Sequence, residues 1–197
     1  MNRLSMVMGL LAAVPAFAQW PSDAGVDVPV ATVTRAIRPS VVVDSRNGVY
    51  VIWASSQTGT NDRRLRGERF SLDGMRLWTT ANADGGFVGR DLLGLSLGTE
   101  LSSKALAVGD GDGGVIAIYT AGMQPGPSAL HGQRFGATGT ASWATTGTFG
   151  GVTPLVSPRN AEAFMVVPDG LGGALVAVIG INDEFGHRFS ATGALSW

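Results

Sequence analysis

The sequence predicts an all-β protein in which one antiparallel unit occurs three times. Two observations support this fold class: a pair of sequence blocks recurs three times along the chain, and short apolar runs rich in Val and Ile alternate with Gly- and Asp-containing turns. A third observation is that no window outside the N-terminal segment offers an amphipathic helix of useful length. Strands must therefore build nearly all of the structure.

Composition sets the protein class and excludes several kinds of function. A chain of 197 residues with 45% hydrophobic and 15% charged residues is globular rather than disordered, and it is long enough for one domain with a sizeable core. The absence of Cys excludes disulfides, thiolate metal sites, iron–sulfur clusters and a Cys nucleophile. With 14 basic and 15 acidic residues, the chain gives no electrostatic reason to expect binding to nucleic acid or to an anionic membrane surface.

The N-terminal segment has the features of a secretory signal peptide. Arg3 supplies the positive charge, residues 4–14 are largely apolar, and residues 16–18 read A-F-A, which fits a cleavage site. The alternative is an uncleaved anchor, but the apolar run is shorter than the roughly 20 residues that a bilayer span needs. We therefore expect residues 1–18 to be a signal peptide, residues 19–197 to form one repeat domain without a membrane span, and the product to be secreted or periplasmic.

The more C-terminal of the two repeated blocks aligns three times without a gap. It reads G-E-R-F-S-L-D-G-M-R-L-W at 67–78, G-Q-R-F-G-A-T-G-T-A-S-W at 132–143, and G-H-R-F-S-A-T-G-A-L-S-W at 186–197. An earlier Trp precedes the first unit, so four tryptophans separated by 58, 65 and 54 residues mark the boundaries. The residues that we assign a structural role in the repeat are Trp20, Trp78, Trp143, Trp197, Arg69, Arg134, Arg188, Phe70, Phe135 and Phe189.

A second block lies upstream of each copy and contains an Asp followed four residues later by a Gly. The Asp residues are Asp44, Asp110 and Asp169, and they lie 23, 22 and 17 residues before the first Gly of the later block. The connection between two fixed blocks thus varies in length, as a loop does. This spacing gives three units, at about 20–78, 79–143 and 144–197.

Each unit is expected to form a four-stranded meander. In the first unit, the apolar runs 39–44 and 49–54 flank turn residues and predict a hairpin. Residues 65–71 alternate between apolar and polar and predict a third strand, and residues 75–78 follow an Asp-Gly turn as a fourth. The same pattern can be drawn for 105–143 and 163–197, and residues 92–97 are a candidate additional strand.

Repeated four-stranded meanders at this spacing are typical of a β-propeller, in which each blade buries its faces against its neighbours. We therefore expect a β-propeller-like array of three four-stranded antiparallel blades, with the recurrent Trp as a wedge between blades. Closed propellers typically have four to eight blades. Three units therefore imply an open or incomplete propeller: two copies close a six-unit ring, further blades are missing, or the units form a compact three-unit variant.

The repeat resembles one that is common in secreted bacterial proteins and is usually uncharacterised. Its marks are D-G-x-G-G, here residues 169–173, and Q-R-F-x-x-x-G-x-x-x-W, here residues 133–143. The A-T-G-x-x-x-W endings at 137–143 and 191–197 also resemble the tryptophan-docking motif of quinoprotein propellers. That resemblance implies blade packing, and no quinone-binding residue is transferred. A weaker likeness, at 71–78, is to the Asp-box of sialidase-type propellers.

Several residue groups are candidate sites, and each has a structural alternative. The repeated arginines could hold an anion, but an ion pair with the repeated Asp or a packing role is favoured. Asp110 and Asp112 offer two carboxylates for a calcium loop, although Asp-Gly is also turn chemistry. His131 and His187 are expected at solvated strand positions rather than in a metal site. A basic cluster at Arg63, Arg64 and Arg66 could contact an acidic glycan, but edge-strand protection is favoured.

The sequence therefore predicts an exported repeat protein with a binding or scaffold role. No catalytic residue, and no cofactor other than the candidate calcium, is nominated. Partners of protein or glycan type, or a second copy of the chain, are compatible with this prediction. The alternative is a carbohydrate-active propeller enzyme, sialidase-like or lyase-like, or a fragment of one.

Overall fold

The chain folds into three antiparallel β-sheets that follow one another along the sequence. The computed structural model describes residues 36–46, 48–56, 63–78, 90–93, 97, 104–121, 129–143, 163–179 and 184–196. The first sheet comprises β1 (Ala36–Val43), β2 (Gly48–Ser56), β3 (Arg63–Ser71) and the two-residue β4 (Arg90–Asp91). The second comprises β5 (Ala105–Gly109), β6 (Val115–Ala121) and β7 (Ala129–Phe135), and the third β8 (Ala163–Pro168), β9 (Ala174–Ile179) and β10 (Glu184–Phe189).

Each sheet is a meander in which consecutive strands are neighbours. The strand orders are β1-β2-β3-β4, β5-β6-β7 and β8-β9-β10, and all pairs are antiparallel. The register of the first sheet shifts between Ile37 and Ser40, on either side of Pro39, which has no N–H to donate to the ladder. The predicted all-β class and the first three strands of each unit are thus present.

The expected fourth strand of each unit is reduced to a single bridge. After its third strand the chain turns back and pairs through Phe70 with Arg76, Phe135 with Ala141, and Phe189 with Leu195. In the first two units the ladder ends because the backbone N–H of the following Trp donates to a side chain of the third strand instead of to a carbonyl. The three-stranded meander plus bridge therefore differs from the predicted four-stranded blade.

The candidate strand at 92–97 is displaced to β4. Arg90 and Asp91 pair with Gly67 and Arg66 on β3. Beyond them, Leu92 and Leu97 still donate backbone hydrogen bonds to β3 carbonyls, at 3.0 and 2.7 Å, but they are not in strand conformation.

Most of the hydrophobic core lies between successive sheets, and one smaller cluster of Val51, Trp53 and Phe70 lies on a face of the first sheet alone. One cluster joins the first and second sheets and includes Tyr50, Ile52 and Trp78 from the first unit and Ala117 and Phe135 from the second. A further cluster joins the second and third sheets; it includes Ile116, Ile118, Trp143, Val176 and Phe189. The second sheet is therefore covered on both faces, which is why every residue of β6 is buried and its sequence reads as one apolar run.

The first strands of the three units are neighbours in space. β5 contacts β1 of the first sheet and β8 of the third. This arrangement places the hairpin turns that follow β1, β5 and β8 at the same end of the array. Within the described part of the chain, no helix is long and apolar enough to cross a membrane.

Candidate functional site

The repeated Asp organises the hairpin turn after the first strand of every unit. Each carboxylate accepts two backbone N–H groups from its own turn through one oxygen: Asp110 Oδ1 accepts from Asp112 and Gly114, both at 2.8 Å. Asp44 and Asp169 accept from the residues two and four positions on in the same way. A carboxylate that accepts turn N–H groups satisfies donors that the hairpin leaves unpaired.

The second oxygen of each of these carboxylates binds the repeated Arg of the same unit. The distances from guanidinium nitrogen to carboxylate Oδ2 are 3.1 Å for Arg69 and Asp44, 2.7 Å for Arg134 and Asp110, and 2.9 Å for Arg188 and Asp169. The three Asp side chains are at most 2% exposed. These arginines, for which the repeat predicts a structural role, are ion-paired to the turn that follows the first strand of their own unit.

This environment changes the acidity of two of the carboxylates. Burial alone would raise the pKa of Asp110, but the N–H groups of Asp112 and Gly114 and the Arg134 guanidinium outweigh burial and hold that pKa below its ordinary value. The pKa of Asp169 is likewise lowered, because two turn N–H groups and Arg188 outweigh its desolvation. Both groups are therefore kept as carboxylates and are poorly suited to donating a proton.

The candidate calcium ligands both face arginines. Asp110 uses both of its oxygens in the contacts above, and Asp112 binds Arg46 through Oδ1, with Arg134 Nη2 3.8 Å from its other oxygen. A cation here would have to replace guanidinium groups. Among the described residues no group of three or more His, Asp or Glu side chains could hold a metal ion. Calcium at Asp110 and Asp112 stays a prediction from the sequence, and this donor set is unfavourable for it.

The repeated Trp joins each unit to the next one. Trp78 and Trp143 are each 4% exposed and lie in the cores between sheets. The indole Nε1 of Trp78 donates to the carbonyl of Ala137 at 2.7 Å, and that of Trp143 donates to the carbonyl of Ala191 at 2.9 Å. Trp143 also stacks on Phe189 of the next unit, with ring centroids 5.3 Å apart. Trp20 and Trp197 lie outside the described residues.

Glycines provide the space that these tryptophans occupy. A Cβ at Gly67 would clash with Ile52 and Leu92, at 2.7 and 2.9 Å, and would also meet Trp78 at 3.4 Å. One at Gly132 would meet Ile118, Phe189 and Trp143 at 3.1, 3.2 and 3.3 Å. On the other side of the Trp143 ring, a Cβ at Gly193 would meet its Cγ at 2.7 Å, and Gly193 also has a φ of +83°. Gly193 is therefore required by the Trp143 ring as well as by its turn, whereas Gly67 and Gly132 are required by the several side chains packed around each Trp.

Sequence reasoning missed the side chain that holds the Trp segment against the third strand. Oε1 of Glu68 accepts the N–H groups of Arg69 and Trp78, each at 3.0 Å. Gln133 does the same for Arg134 and Trp143, each at 2.9 Å. Both side chains are fully buried. The sequence does contain a signal for this role, since a residue with a side-chain carbonyl or carboxylate oxygen, Glu68 or Gln133, immediately precedes the repeated Arg in the first two units. The third unit has His187 at this position, so the pattern is not repeated in all three units.

Two further predictions about polar residues were wrong. His131 is only 3% exposed and stacks on Tyr119 with ring centroids 5.8 Å apart, so it is not a solvated strand residue. The basic cluster is not a free charged edge either. Arg63 is 7% exposed, Arg64 Nη1 lies 3.3 Å from Asp91 Oδ2, and Arg66 Nε donates to Ser55 at 2.9 Å.

The three hairpin turns enclose a cleft of about 380 Å³. It is lined by residues of the three turns and of the strand ends before them, which are Val43, Asp44, Ser45, Gly109, Asp110, Gly111, Pro168, Gly170, Gly172 and Gly173. The hydroxyl of Ser45 donates to the carbonyl of Gly111 at 2.9 Å, so the turns of the first two units are also hydrogen-bonded to each other. The cleft is thus an opening with a largely backbone lining that is more apolar than polar, and the carboxylates in its wall are held by arginines.

No family model matches the chain, and no curated protein does. Among solved structures, the chain is similar to one from the GH130 family of mannoside phosphorylases. That family contains glycoside hydrolases that target β-1,2 mannosidic linkages in Candida mannan. The TM-score is 0.41 and the sequence identity is 12%, over 82% of this chain and 48% of that one. It is also similar to an endo-arabinase from Bacteroides thetaiotaomicron, with a TM-score of 0.40 and 14% identity over 82% of this chain and 55% of that one. The chain spans about half the length of these structures.

Proposed function

We propose that the protein is an exported, propeller-like repeat protein that binds a small polar ligand, such as a terminal sugar, in the cleft between its hairpin turns. The observation that carries this proposal is the convergence of three equivalent turns on one opening of about 380 Å³. A cleft of that volume is in the range that small ligands occupy. Peptide groups and the Ser45 hydroxyl in its lining are suited to sugar hydroxyls.

The propeller-like arrangement is supported by how the sheets meet. Successive sheets pack face to face, the first strand of each unit lies beside that of the next, and a Trp bridges each described junction. The innermost strands of a propeller are arranged in this way around its axis. An open arc of three blades, each a three-stranded meander with one bridge, accounts for these contacts.

A binding role is favoured over a catalytic one by the state of the cleft carboxylates. Glycoside hydrolysis requires one carboxylic acid that donates a proton and a second carboxylate that acts as base or nucleophile. Asp110 is held ionised by Arg134 and by turn N–H groups, and Asp44 binds Arg69 and its own turn. These contacts stabilise the scaffold and occupy the oxygens that chemistry would need.

A carbohydrate-active enzyme, sialidase-like or lyase-like, is the second candidate. The same cleft favours it, because two carboxylate residues, Asp44 and Asp110, belong to its wall, with side chains that are buried behind the lining. The two candidates differ in turnover: the binding protein retains its ligand unchanged, whereas the enzyme releases products.

The test is a glycan array followed by calorimetry with the full chain. The variant Ser45→Trp fills the cleft from an exposed position, and Leu72→Trp, on the exposed turn after β3, is the matched control. We expect saturable binding that Ser45→Trp lowers at least about tenfold and that Leu72→Trp leaves unchanged. Release of reducing sugars would establish the second candidate, and equal binding by both variants would overturn the assignment of the cleft.

A further inference from the structure

The third sheet has one open apolar face, on the side away from the second sheet. Met165 is 67% exposed, Val167 and Ile179 are each 48% exposed, and Ala177 is exposed as well. Met165, Val167 and Ala177 line, together with Leu175, a shallow groove of about 270 Å³. Adjacent exposed apolar side chains on one sheet face are typical of an interaction surface.

The corresponding face of the second sheet is covered by the next unit. Leu175 and Ala177 on β9 correspond to Ile116 and Ile118 on β6, which are fully buried in the core shared with the third sheet. The corresponding face of the first sheet lies in the core shared with the second sheet. The repeat thus uses this face to pack against another sheet, and the third unit is where no described residue covers it.

A second copy of the chain can offer this same face as the covering surface. The second sheet is covered on both of its faces. The outer face of the first sheet is not open either, because Val51, Trp53 and Phe70 on it are only 7%, 1% and 0% exposed. Among the sheet faces that described residues form, the open apolar one is therefore that of the third sheet. Two copies that meet through it use identical residues, which makes the contact isologous and gives it a two-fold axis.

The strand register arranges the open face in three rows that cross the sheet. Residues paired directly across neighbouring antiparallel strands direct their side chains to the same face, as do alternate residues along one strand. The first row ends in Glu184 and the third row in Arg188, whereas the middle row contains the small residues Ala177 and Gly186. The rows are Ala163 with Ile179 and Glu184, Met165 with Ala177 and Gly186, and Val167 with Leu175 and Arg188.

A two-fold axis that crosses the strands over the middle row makes the face complementary to itself. The first row of one copy then faces the third row of the other, so Glu184 lies opposite Arg188 twice in the interface. By the same rotation Ile179 lies opposite Leu175, so apolar side chains meet apolar ones. Ala177 and Gly186 in the middle row allow the two sheets to approach closely. The charges on this face are therefore complementary when two copies meet, and no two like charges are brought together.

The first junction shows how the repeated Arg contacts a covering unit. There Arg69 binds Asp44 through Nη2, while its Nη1 donates to the carbonyl of Ala137 in the second unit, at 3.4 Å. Arg188 binds Asp169 through Nε and Nη2, at 3.0 and 2.9 Å, and its side chain is 29% exposed. These contacts leave Nη1 of Arg188 for an acceptor on the covering sheet. A carboxylate is a strong acceptor for a guanidinium, and Glu184 of a second copy would supply one.

We propose that the open face of the third sheet binds the same face of a second copy of the chain, in a two-fold symmetric dimer whose axis crosses Met165, Ala177 and Gly186. The apolar side chains supply the buried area, and the pairs of Glu184 with Arg188 fix the register of the two sheets. This surface shares no lining residue with the cleft between the hairpin turns. The inference goes beyond the ligand-binding role and does not depend on it.

The first test measures the mass of the protein by sedimentation velocity across a dilution series. We expect a dimer, which Met165→Arg abolishes because the two copies of this residue would place like charges together on the axis. Glu184→Arg should weaken the dimer at least about tenfold by opposing Arg188, and Glu184→Gln should weaken it less. Leu171→Arg, on the 73% exposed hairpin of the same sheet, is the control and should leave the dimer unchanged.

Cross-linking tests the two-fold axis itself. The chain contains no Cys, so a single Cys can be introduced without competing thiols. Ala177→Cys places two thiols on either side of the axis, and a short bismaleimide is expected to link them into a covalent dimer. Leu171→Cys is the matched control, because the two copies of this hairpin would lie at opposite ends of the dimer and should not be linked.

Met165 and Glu184 are exposed in the single chain, so near-ultraviolet circular dichroism of their variants should match that of the native protein and separates loss of association from loss of fold. A native protein that is folded and monomeric at all concentrations would overturn the proposal. So would a dimer that Met165→Arg leaves intact, or one that Glu184→Arg does not weaken. Assemblies larger than a dimer, or equal cross-linking of the two Cys variants, would also overturn it, because either result indicates a contact without this axis.

Discussion

The indole N–H of Trp143 donates to the carbonyl of Ala191, 2.9 Å away in the following unit. Trp78 makes the same bond to Ala137, so the end of each of these units is fixed to the turn of the next one. Because a buried N–H without an acceptor is costly, this bond specifies where the ring lies as well as adding to the apolar contact area. The units are therefore expected to unfold together rather than one at a time.

Replacing Trp143 should destabilise the whole chain. Trp143→Ala removes a 4% exposed side chain from the core between the second and third sheets and is expected to cost about 3 to 5 kcal/mol in the free energy of unfolding. Denaturant titration followed by circular dichroism measures this loss. Trp143→Phe, which keeps a ring but loses the bond to Ala191, should cost less. A loss below about 1 kcal/mol for Trp143→Ala would contradict a ring buried between units.

The fit of the Trp143 ring can be tested separately from backbone strain. Gly193→Ala and Gly170→Ala both place a Cβ at a positive φ, +83° and +76°, so they share the cost of that conformation. Only the Cβ at residue 193 would contact the Trp143 ring, whereas nothing lies within 4 Å of the one at residue 170. We expect a clearly lower thermal midpoint for Gly193→Ala than for Gly170→Ala. Equal midpoints would show that the ring does not rest on Gly193.

The buried side-chain oxygen of Gln133 should contribute strongly to the stability of the fold, because it accepts two backbone N–H groups. Gln133→Leu keeps the approximate volume but leaves the N–H groups of Arg134 and Trp143 without their acceptor, at about 1 to 3 kcal/mol for each unsatisfied group. Ser142→Ala removes an exposed hydrogen bond to the Arg134 carbonyl and serves as the control, with little expected effect. Urea midpoints measure both. If the two variants lose similar stability, the Gln133 bonds are not structural.

Acid should weaken the turns through Asp110 and Asp169. Their folded-state pKa values lie below the ordinary value of 3.8, so the unfolded chain binds protons first as the pH falls. The stability that these carboxylates contribute is present above about pH 3.8 and is lost as the pH falls through their folded pKa values. Asp110→Asn should lower stability at neutral pH and flatten the acid limb of a plot of urea midpoint against pH. Asp73→Asn, on an exposed turn, is the control; an unchanged acid limb for Asp110→Asn would contradict the assignment.

The two tyrosines should resist ionisation in the folded protein. Burial raises the pKa of Tyr50 to about 12, although Arg69 opposes the shift, and burial also raises the pKa of Tyr119. Because both values are raised above 10, stability from the neutral phenols is present below about pH 10 and is lost as the pH rises through the folded values. Tyrosinate absorbance near 295 nm is the measurement. The chain has only two tyrosines, so a titration with a midpoint near 10 in the folded state would show that at least one phenol is exposed.

Local chemistry made much of the fold predictable. Apolar runs beside Asp-Gly turns predict hairpins because strand propensity and turn geometry act over a few residues, and β1, β2 and β3 lie within a few residues of the predicted strands. The pairing of Arg134 with Asp110 could be suggested because both recur in every unit. The fourth strand could not be excluded locally, since it ends where Trp78 donates its N–H to the side chain of Glu68 ten residues earlier.

The sequence by itself determined that one unit is repeated, where the first three strands of each unit and the turns between them lie, and which Asp, Arg, Phe and Trp residues recur. The sequence could not decide in which of the three units a given sheet face is covered by a neighbouring sheet. Ile118 and Ala177 occupy the same place in successive units, yet Ile118 is fully buried and Ala177 is exposed. His131 differs from its prediction because it is buried and stacks on Tyr119 of the neighbouring strand. Burial depends on what lies opposite a residue in space, and only the packing of one sheet on the next decides that.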